Sequence, residues 1–250
     1  MTSDKERVIM SIVNKLAPAN YGKLAPQTSA LIDDANVDPT LLLLFTRAQH
    51  DAVRARLFVD LGVHCIKARS DAGDRLRFAL NEVSASVVSA IQTFMTLERV
   101  EKMEYDAFCS RVVTKRRICG GVFVIVQTCT AASASGIEPP SDTRDRLFGE
   151  LTRLSEQRSD ETALIEIVTE IMVELARLKD DEPSREFIRG TLVAKRAAFE
   201  RHCDKRTLFR LQDVVSSLSC GQRGLKDQGT RKDDAVGRWK LHQAPEKVQH

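Results

Sequence analysis

The side chains with the widest chemical range in this chain are six cysteines and five histidines. No two cysteines have the two-residue spacing that is typical of a zinc site; they stand at positions 65, 109, 119, 129, 203 and 220. His64 precedes Cys65 and His202 precedes Cys203, but neighbouring side chains on a helix point about 100° apart and do not converge on one ion. We therefore expect no metal site, and reduced, mostly buried thiols in a cytosolic or nuclear protein.

Motifs for nucleotide or ester chemistry are also missing from the sequence. It has no glycine-rich loop followed by Lys-Ser or Lys-Thr, no Gly-x-Ser-x-Gly elbow, and no two histidines four residues apart. A Cys-His nucleophile pair stays open, because nothing in the sequence selects one cysteine over the others. We predict a protein that is not an enzyme and holds no cofactor.

Four basic residues near the middle of the chain form its clearest charged group. Lys115, Arg116 and Arg117 are consecutive, and Arg111 precedes them by about one helical turn. No two of three consecutive side chains face the same way on a helix, so at least one should point into solvent. The group is suited to weak RNA binding through phosphates, without sequence preference. A solvated helix end, where cations are favoured, explains it equally well.

The composition favours helices as the elements that position these residues. The chain is 42% hydrophobic and 5% aromatic, and it has too few glycines and prolines for the frequent turns of a β-sandwich or barrel. Apolar residues recur at helical spacing in ten successive segments. We predict an all-α fold, an α-solenoid of about five antiparallel helical hairpins of the HEAT or armadillo type.

Composition also predicts the division of the chain. Residues 1–218 would form the helical-repeat domain, with an internal step at residues 138–141, where two prolines precede a serine. Residues 219–250 have seven lysines and arginines against four acidic residues, a net charge of +3, and no sustained apolar period. We predict that they form a basic, disordered tail.

Local signals predict where the first helices begin. Ser3 and Glu6 have the spacing of a capping box in front of the first apolar stripe. Pro18 cannot continue a helix but can start one, so a second helix would run from it toward residue 35. Asp38 followed by Pro39 resembles an N-cap with a proline in the first turn of a third helix.

One apolar run, Val122–Val126, has the β-branched residues of a strand. No second strand candidate exists to pair with it, so we predict a helix that is buried on all sides. This run and Leu41–Phe45 are far too short to span a bilayer, and the first residues lack the apolar core of a signal peptide. We expect no membrane association.

Three segments resemble, in the same order, the middle domain of translation initiation factor 4 gamma. Residues 12–21, Ile-Val-Asn-Lys-Leu-Ala-Pro-Ala-Asn-Tyr, are similar to the start of that family's first repeat. Residues 115–125, Lys-Arg-Arg-Ile-Cys-Gly-Gly-Val-Phe-Val-Ile, are similar to the basic and glycine residues that open its central repeat. Residues 206–215, Arg-Thr-Leu-Phe-Arg-Leu-Gln-Asp-Val-Val, are similar to its closing helix. The resemblance spans about residues 5 to 218 and implies the same helical-repeat fold.

The resemblance implies a cytoplasmic scaffold of translation initiation. In the family, the first and last repeats hold the two lobes of the DEAD-box RNA helicase of the initiation complex, and this speeds the ATP cycle of the helicase. The helicase-contacting positions that carry over to this sequence are Val13, Leu16 and Tyr21 in the first repeat and Arg206 and Phe209 in the last.

Most of these positions also have a simpler explanation. Val13 and Leu16 lie on the apolar stripe of the first helix and would suit the core. Phe209 stands among other apolar residues, which favours core over contact, and Arg206 would suit a solvated surface. Tyr21 is the clearest candidate, because an aromatic ring with a polar tip suits an interface.

The sequence departs from the family near its end. The family's closing helix ends in Leu-Arg with a tryptophan nearby, but residues 216–219 here are Ser-Ser-Leu-Ser. Trp239 lies about twenty residues beyond the position of that tryptophan. This difference predicts a weaker second helicase contact. No tyrosine followed four residues later by two leucines precedes the domain, so a cap-binding protein would need a segment outside this chain. A related helical-repeat adaptor in mRNA decay, splicing or the nuclear cap complex is the alternative.

Overall fold

The computed structural model describes residues 4–96, 105–157, 162–176, 178, 181–202 and 205–220. Within these ranges the fold is all-α, as predicted: it has ten α-helices and a short 3₁₀ turn at Pro18–Asn20, and no strand. The helices are α1 (Asp4–Lys15), α2 (Tyr21–Leu31), α3 (Val37–His50), α4 (Ala55–Ile66), α5 (Ala72–Thr96), α6 (Tyr105–Ala134), α7 (Ser141–Gln157), α8 (Thr162–Ala176), α9 (Glu182–His202) and α10 (Lys205–Cys220).

The helices pack in two layers. In one layer α2 contacts α4, α4 contacts α6, α6 contacts α8 and α8 contacts α10. In the other layer α1 contacts α3, α3 contacts α5 and α5 contacts α7, and the ring of Phe148 on α7 stacks on that of Phe187 on α9, with centroids 4.6 Å apart. A stack of helical hairpins produces this order of neighbours. The packing is consistent with a helical-repeat fold, while a solenoid of the HEAT or armadillo type stays a prediction.

Helix α6 is the central element of the fold. It has 30 residues, a length of about 45 Å, and it contacts α3, α4, α5, α7 and α8. The apolar run Val122–Val126 lies within it, so the predicted helix is confirmed. Val122 and Val124–Val126 have no exposed surface, but Phe123 is partly exposed, so the run is not buried on all sides. An 18-residue window of α6 is apolar enough to cross a membrane, but 61% of that window is buried inside the fold, as in a core helix.

Two glycines allow α6 to approach its neighbours closely. A Cβ atom on Gly120 would lie 2.7 Å from the carbonyl carbon of Gln49 at the end of α3, and one on Gly121 would overlap a methyl group of Val87 on α5. These distances are shorter than van der Waals contact. The glycine pair that resembles the start of the family's central repeat therefore has a packing role here.

The structure corrects the predicted starts of α2 and α3. Pro18 begins the 3₁₀ turn rather than α2, which starts at Tyr21. Helix α3 starts at Val37, so Asp38 is its second residue and not its N-cap. The carboxylate of Asp38 instead accepts hydrogen bonds of 2.9 Å from Arg75 of α5. Helix α2 ends at Leu31 rather than near residue 35, and the Ser3 of the predicted capping box lies outside the described residues.

The predicted step at residues 138–141 is a turn between α6 and α7. Gly136 has a φ of 72°, in the region that favours glycine, and Ser141 is the first residue of α7. Ile137 and Leu147 belong to the same apolar core as the helices before them, so this core continues through the turn. Helix α10 ends at Cys220, two residues beyond the predicted end of the helical part, and residues 221–250 of the predicted tail lie outside the described residues.

Candidate partner-binding surface

The first hairpin buries two of its three predicted contact residues. Val13 and Leu16 are each 1% exposed and belong to the apolar core. Val13 lies on the apolar side of α1, and Leu16 directly follows the helix; both point inward, which is the simpler of the two explanations for these residues. Neither side chain is at the surface to meet a partner.

Tyr21 is the one of these three predicted contact residues that reaches the surface. The preceding turn is held by Asn20, whose side chain accepts a hydrogen bond of 2.7 Å from the backbone of Ala17 and donates one of 2.7 Å to Lys15. The ring of Tyr21 packs against the core but stays partly exposed. Burial, and then the neighbouring Asp60, raise the pKa of Tyr21 to about 12, so its hydroxyl keeps its proton at neutral pH. The residue offers a partly exposed ring and a hydrogen-bond donor.

Phe209 on α10 is 64% exposed, contrary to the core position that its apolar neighbours favoured. Leu211, two residues later, has no exposed surface. Two residues along a helix rotate a side chain by about 200°, so burying Leu211 directs Phe209 outward. Arg206 lies in the first turn of α10, and its side chain is outside what the structure describes.

Ion pairs connect helix α10 to the central helices of the fold. Arg210 donates to Glu170 of α8, and the Lys115 Nζ atom of α6 lies 3.2 Å from the same carboxylate oxygen. The Glu170 side chain is 13% exposed, so this shared contact is largely shielded from water. It joins α6, α8 and α10.

Two of the four residues in the predicted RNA-contacting group are engaged inside the fold. Arg111 is 9% exposed; its Nη2 atom lies 2.7 Å from Glu166 Oε2, and its guanidinium lies 4.0 Å from the ring centroid of Phe94. Lys115 lies between Glu166 and Glu170, 3.4 and 3.2 Å away. The structure removes Arg111 from the candidate phosphate contacts and leaves Lys115 neutralised.

Arg116 and Arg117 are exposed, as expected for at least one of three consecutive helical residues. Arg117 Nε donates a hydrogen bond of 3.0 Å to Ser86 Oγ on α5. Arg116 points away from α5 and makes no ion pair within the described ranges. These two cations are what remains for phosphate binding.

A groove of about 600 Å³ lies beside Arg116, between the α3–α4 turn and α6. The sequence alone does not predict it, because its walls are separated by about sixty residues. The close contact of Gly120 with Gln49 joins them. Its lining includes Gln49, His50, Asp51, Val53, Ala55, Arg116, Cys119, Gly120, Phe123 and Glu174.

Three of the described thiols, Cys65, Cys119 and Cys129, have environments that suppress their chemistry. Burial raises the pKa of Cys65 and of Cys119 to about 12 and that of Cys129 to about 11. The thiolate is the reactive form, so these thiols are inert at neutral pH. Within the described ranges, no group of three or more His, Cys, Asp and Glu side chains is placed to hold a metal ion.

The chain matches no protein-family model, and neither a curated protein nor a solved structure matches it. The resemblance to the middle domain of factor 4 gamma is therefore carried by the three sequence segments alone. The fold is all-α, and the function stays a proposal.

Proposed function

We propose that this chain is a scaffold of translation initiation that binds the DEAD-box RNA helicase of the cap-binding complex. The observation that carries the proposal is the exposure of Phe209, which is 64%. A large exposed aromatic ring is the kind of side chain that serves as an interface anchor. It belongs to the segment that resembles the family's closing helix.

Tyr21 supports a second contact at the other end of the helical stack. It is partly exposed, follows a turn held by Asn20, and combines an apolar ring with a protonated hydroxyl. Tyr21 lies on α2 and Phe209 on α10, in the first and last helices of one layer. Two separated anchors suit a partner with two lobes.

Binding of the cytoplasmic initiation helicase tests the proposal. Phe209→Ala should weaken the complex by about 2 kcal/mol or more, as expected of a hot spot, in calorimetric titration. Phe78→Ala is the matched control, because Phe78 is 48% exposed and lies on α5, in the other layer. Equal effects of the two variants, or no binding by the unmodified chain, would contradict the proposal.

ATP turnover separates a scaffold from an enzyme. The isolated chain should hydrolyse no ATP, and a saturating amount of it should raise the helicase's steady-state turnover. The increase should be modest, since couplings of about 1 to 3 kcal/mol are usual and the last repeat lacks the family's tryptophan. Hydrolysis by the isolated chain would overturn the proposal, and binding without a change in turnover would indicate a tether.

The alternative is a related adaptor in mRNA decay, splicing or the nuclear cap complex. A pulldown that compares helicases of these processes distinguishes the two functions, because each process uses a different ATPase. Preferential capture of the initiation helicase supports the proposal, and preferential capture of another replaces it.

RNA contact is the companion function, and it rests on the exposure of Arg116 and Arg117. A plot of the logarithm of RNA affinity against the logarithm of salt concentration gives a slope. Replacing both residues by alanine should reduce the steepness of this slope by about two, about one for each phosphate that is no longer neutralised. Arg47→Ala with Arg56→Ala is a control of equal charge at exposed positions on α3 and α4. An equal change in the control pair would place RNA binding elsewhere.

A further inference from the structure

The first half of α6 has one side that no described helix covers. Residues 105, 109, 112 and 116 are spaced by four, three and four, so their side chains lie on one side of the helix. Tyr105 is 79% exposed, and Val113, next to this row, is 55% exposed. We call Tyr105, Cys109, Val112, Val113 and Arg116 the α6 ledge.

Two other directions on this part of α6 are engaged by neighbouring helices, although Phe108, at 55%, is also exposed. Arg111 and Lys115 face α8 through Glu166, and Arg117 faces α5 through its hydrogen bond to Ser86. The ledge lies between these two directions. It points to the side on which α4 packs against the later part of α6.

Helix α4 does not cover the ledge, because α4 begins beside the later part of α6. Its first residue, Ala55, lines the same groove as Gly120 and Phe123 of α6. Helix α4 has 12 residues and α6 has 30, so α6 extends beyond the start of α4. The ledge is the part that extends.

The ledge continues directly into the groove beside the α3–α4 turn. Phe123 lies on the same side of α6 as Arg116, seven residues later, and lines the groove. Val53, on the opposite wall, is 94% exposed. The result is a surface from Tyr105 to Phe123 that carries exposed apolar side chains among polar ones, since His50, Asp51 and Glu174 also line the groove. Exposed apolar side chains that are rimmed by polar residues mark interaction sites.

One cation stands in the middle of this surface. Arg116 is exposed and flanked by Val112 and Val113 along the helix. The nearby carboxylate of Asp51 is already paired with Arg54, at 2.7 Å. Glu174 lines the groove from the α8 side, next to Cys119. Asp106, seven residues before Val113, is exposed near the start of the ledge, and Arg116 is the exposed positive charge near its end.

We propose that the α6 ledge docks an amphipathic helix of a partner protein, in the position that a longer α4 would occupy. Apolar side chains of this helix pack on Tyr105, Val112 and Val113, and a carboxylate among them pairs with Arg116. The ledge from residue 105 to residue 116 is about 16 Å long, which matches about three turns of helix. The site is separate from Tyr21 and Phe209 and does not depend on helicase binding, but it shares Arg116 with the proposed RNA contact.

Peptide selection tests the proposal without a known partner. The probe is a displayed library of amphipathic helices with varied apolar positions and one varied position among them, selected on the full chain. The unmodified chain should enrich Asp or Glu at that position. Arg116→Glu should enrich Lys or Arg instead, and Val113→Asp should abolish enrichment. Arg117→Glu is the matched control, since it changes the neighbouring charge on the α5 side and should keep the original selection.

Affinity and folding measurements complete the test. A selected peptide, labelled with fluorescein, should bind at least about tenfold more tightly than its Glu-to-Lys counterpart, a difference of about 1.4 kcal/mol. Circular dichroism melting identifies variants that fail to fold, and Phe209→Ala should retain full peptide binding. No enrichment, an acidic preference unchanged in Arg116→Glu, or equal affinity for both peptides would overturn the proposal. If oligouridylate displaces the peptide, the ledge binds RNA instead. If the chain self-associates and Val113→Asp prevents this, the ledge binds a second copy of the chain.

Discussion

Glu170 of α8 accepts hydrogen bonds from cations on two other helices, Lys115 of α6 and Arg210 of α10. The Glu170 side chain is 13% exposed, whereas Lys115 and Arg210 are 30% and 35% exposed. The carboxylate is thus the more buried partner of both contacts. It connects the central helix to the last one through a single group.

Glu170→Gln should lower the free energy of unfolding by about 1 to 3 kcal/mol, because Arg210 loses its charged partner in a partly buried site and Lys115 keeps only Glu166. Urea unfolding measures this loss. Glu182→Gln is the control: Glu182 is 63% exposed and pairs with Arg189 at 2.9 Å, so its loss should stay below about 1 kcal/mol. Equal losses would mean that Glu170 contributes no more than a surface ion pair.

Gly120→Ala should destabilise the fold by about 1 to 3 kcal/mol, because the added methyl group would overlap the backbone of Gln49. Thermal unfolding measures the effect. Gly149→Ala is the matched control within α7, where an added Cβ meets nothing within 4 Å. It should stabilise the protein by about 0.5 to 1 kcal/mol through helix propensity. Stabilisation by both substitutions would contradict the close approach of α6 to α3.

Leu16→Ala should cost about 2 to 5 kcal/mol of stability, because Leu16 is 1% exposed and its loss leaves a cavity. Chemical denaturation provides the measurement. Val8→Ala on α1 is the control, because Val8 is 46% exposed and should change stability by about 0.5 kcal/mol at most. A Leu16 variant of normal stability that fails to bind the helicase would restore the contact role.

Stability should fall as the pH rises from about 9 to about 12. The pKa of Cys65 is raised from 9.0 to about 12, and that of Tyr21 from 10.0 to about 12, in both cases mainly by burial. The unfolded chain therefore releases these protons first, and deprotonation favours unfolding. Urea midpoints between pH 7 and pH 11 should fall less steeply for Cys65→Ala. An unchanged slope in that variant would contradict the buried, protonated thiol.

Periodicity is sufficient to predict most of the helices. The run at Val122–Val126 illustrates why: its residues favour a strand, but the absence of a pairing partner favours a helix, and the structure confirms the helix. Helix starts are less predictable, since Asp38 has the residue type of an N-cap but serves as an acceptor for Arg75 of a distant helix. Such tertiary pairing leaves no local signal.

The candidate sites are harder to predict because burial depends on neighbours that are remote in sequence. Arg111 and Arg116 are equally basic, yet Arg111 lies against Glu166 and Phe94 while Arg116 is exposed. Phe209 has apolar neighbours in sequence but faces outward, because Leu211 takes the inward position. No feature of residues 105–116 in the sequence predicts the α6 ledge, since its exposure follows from the late start of α4.

The length of α6 has a consequence for how the chain folds. In an array of equal repeats each unit meets only its neighbours, so unfolding can begin at one end and advance in steps. Here one helix contacts five others, on both sides of the turn at residues 135–140. Loss of α6 exposes core surface in the repeats before and after it at once. Truncation within α6 should therefore destabilise the hairpins on both sides of it at the same time.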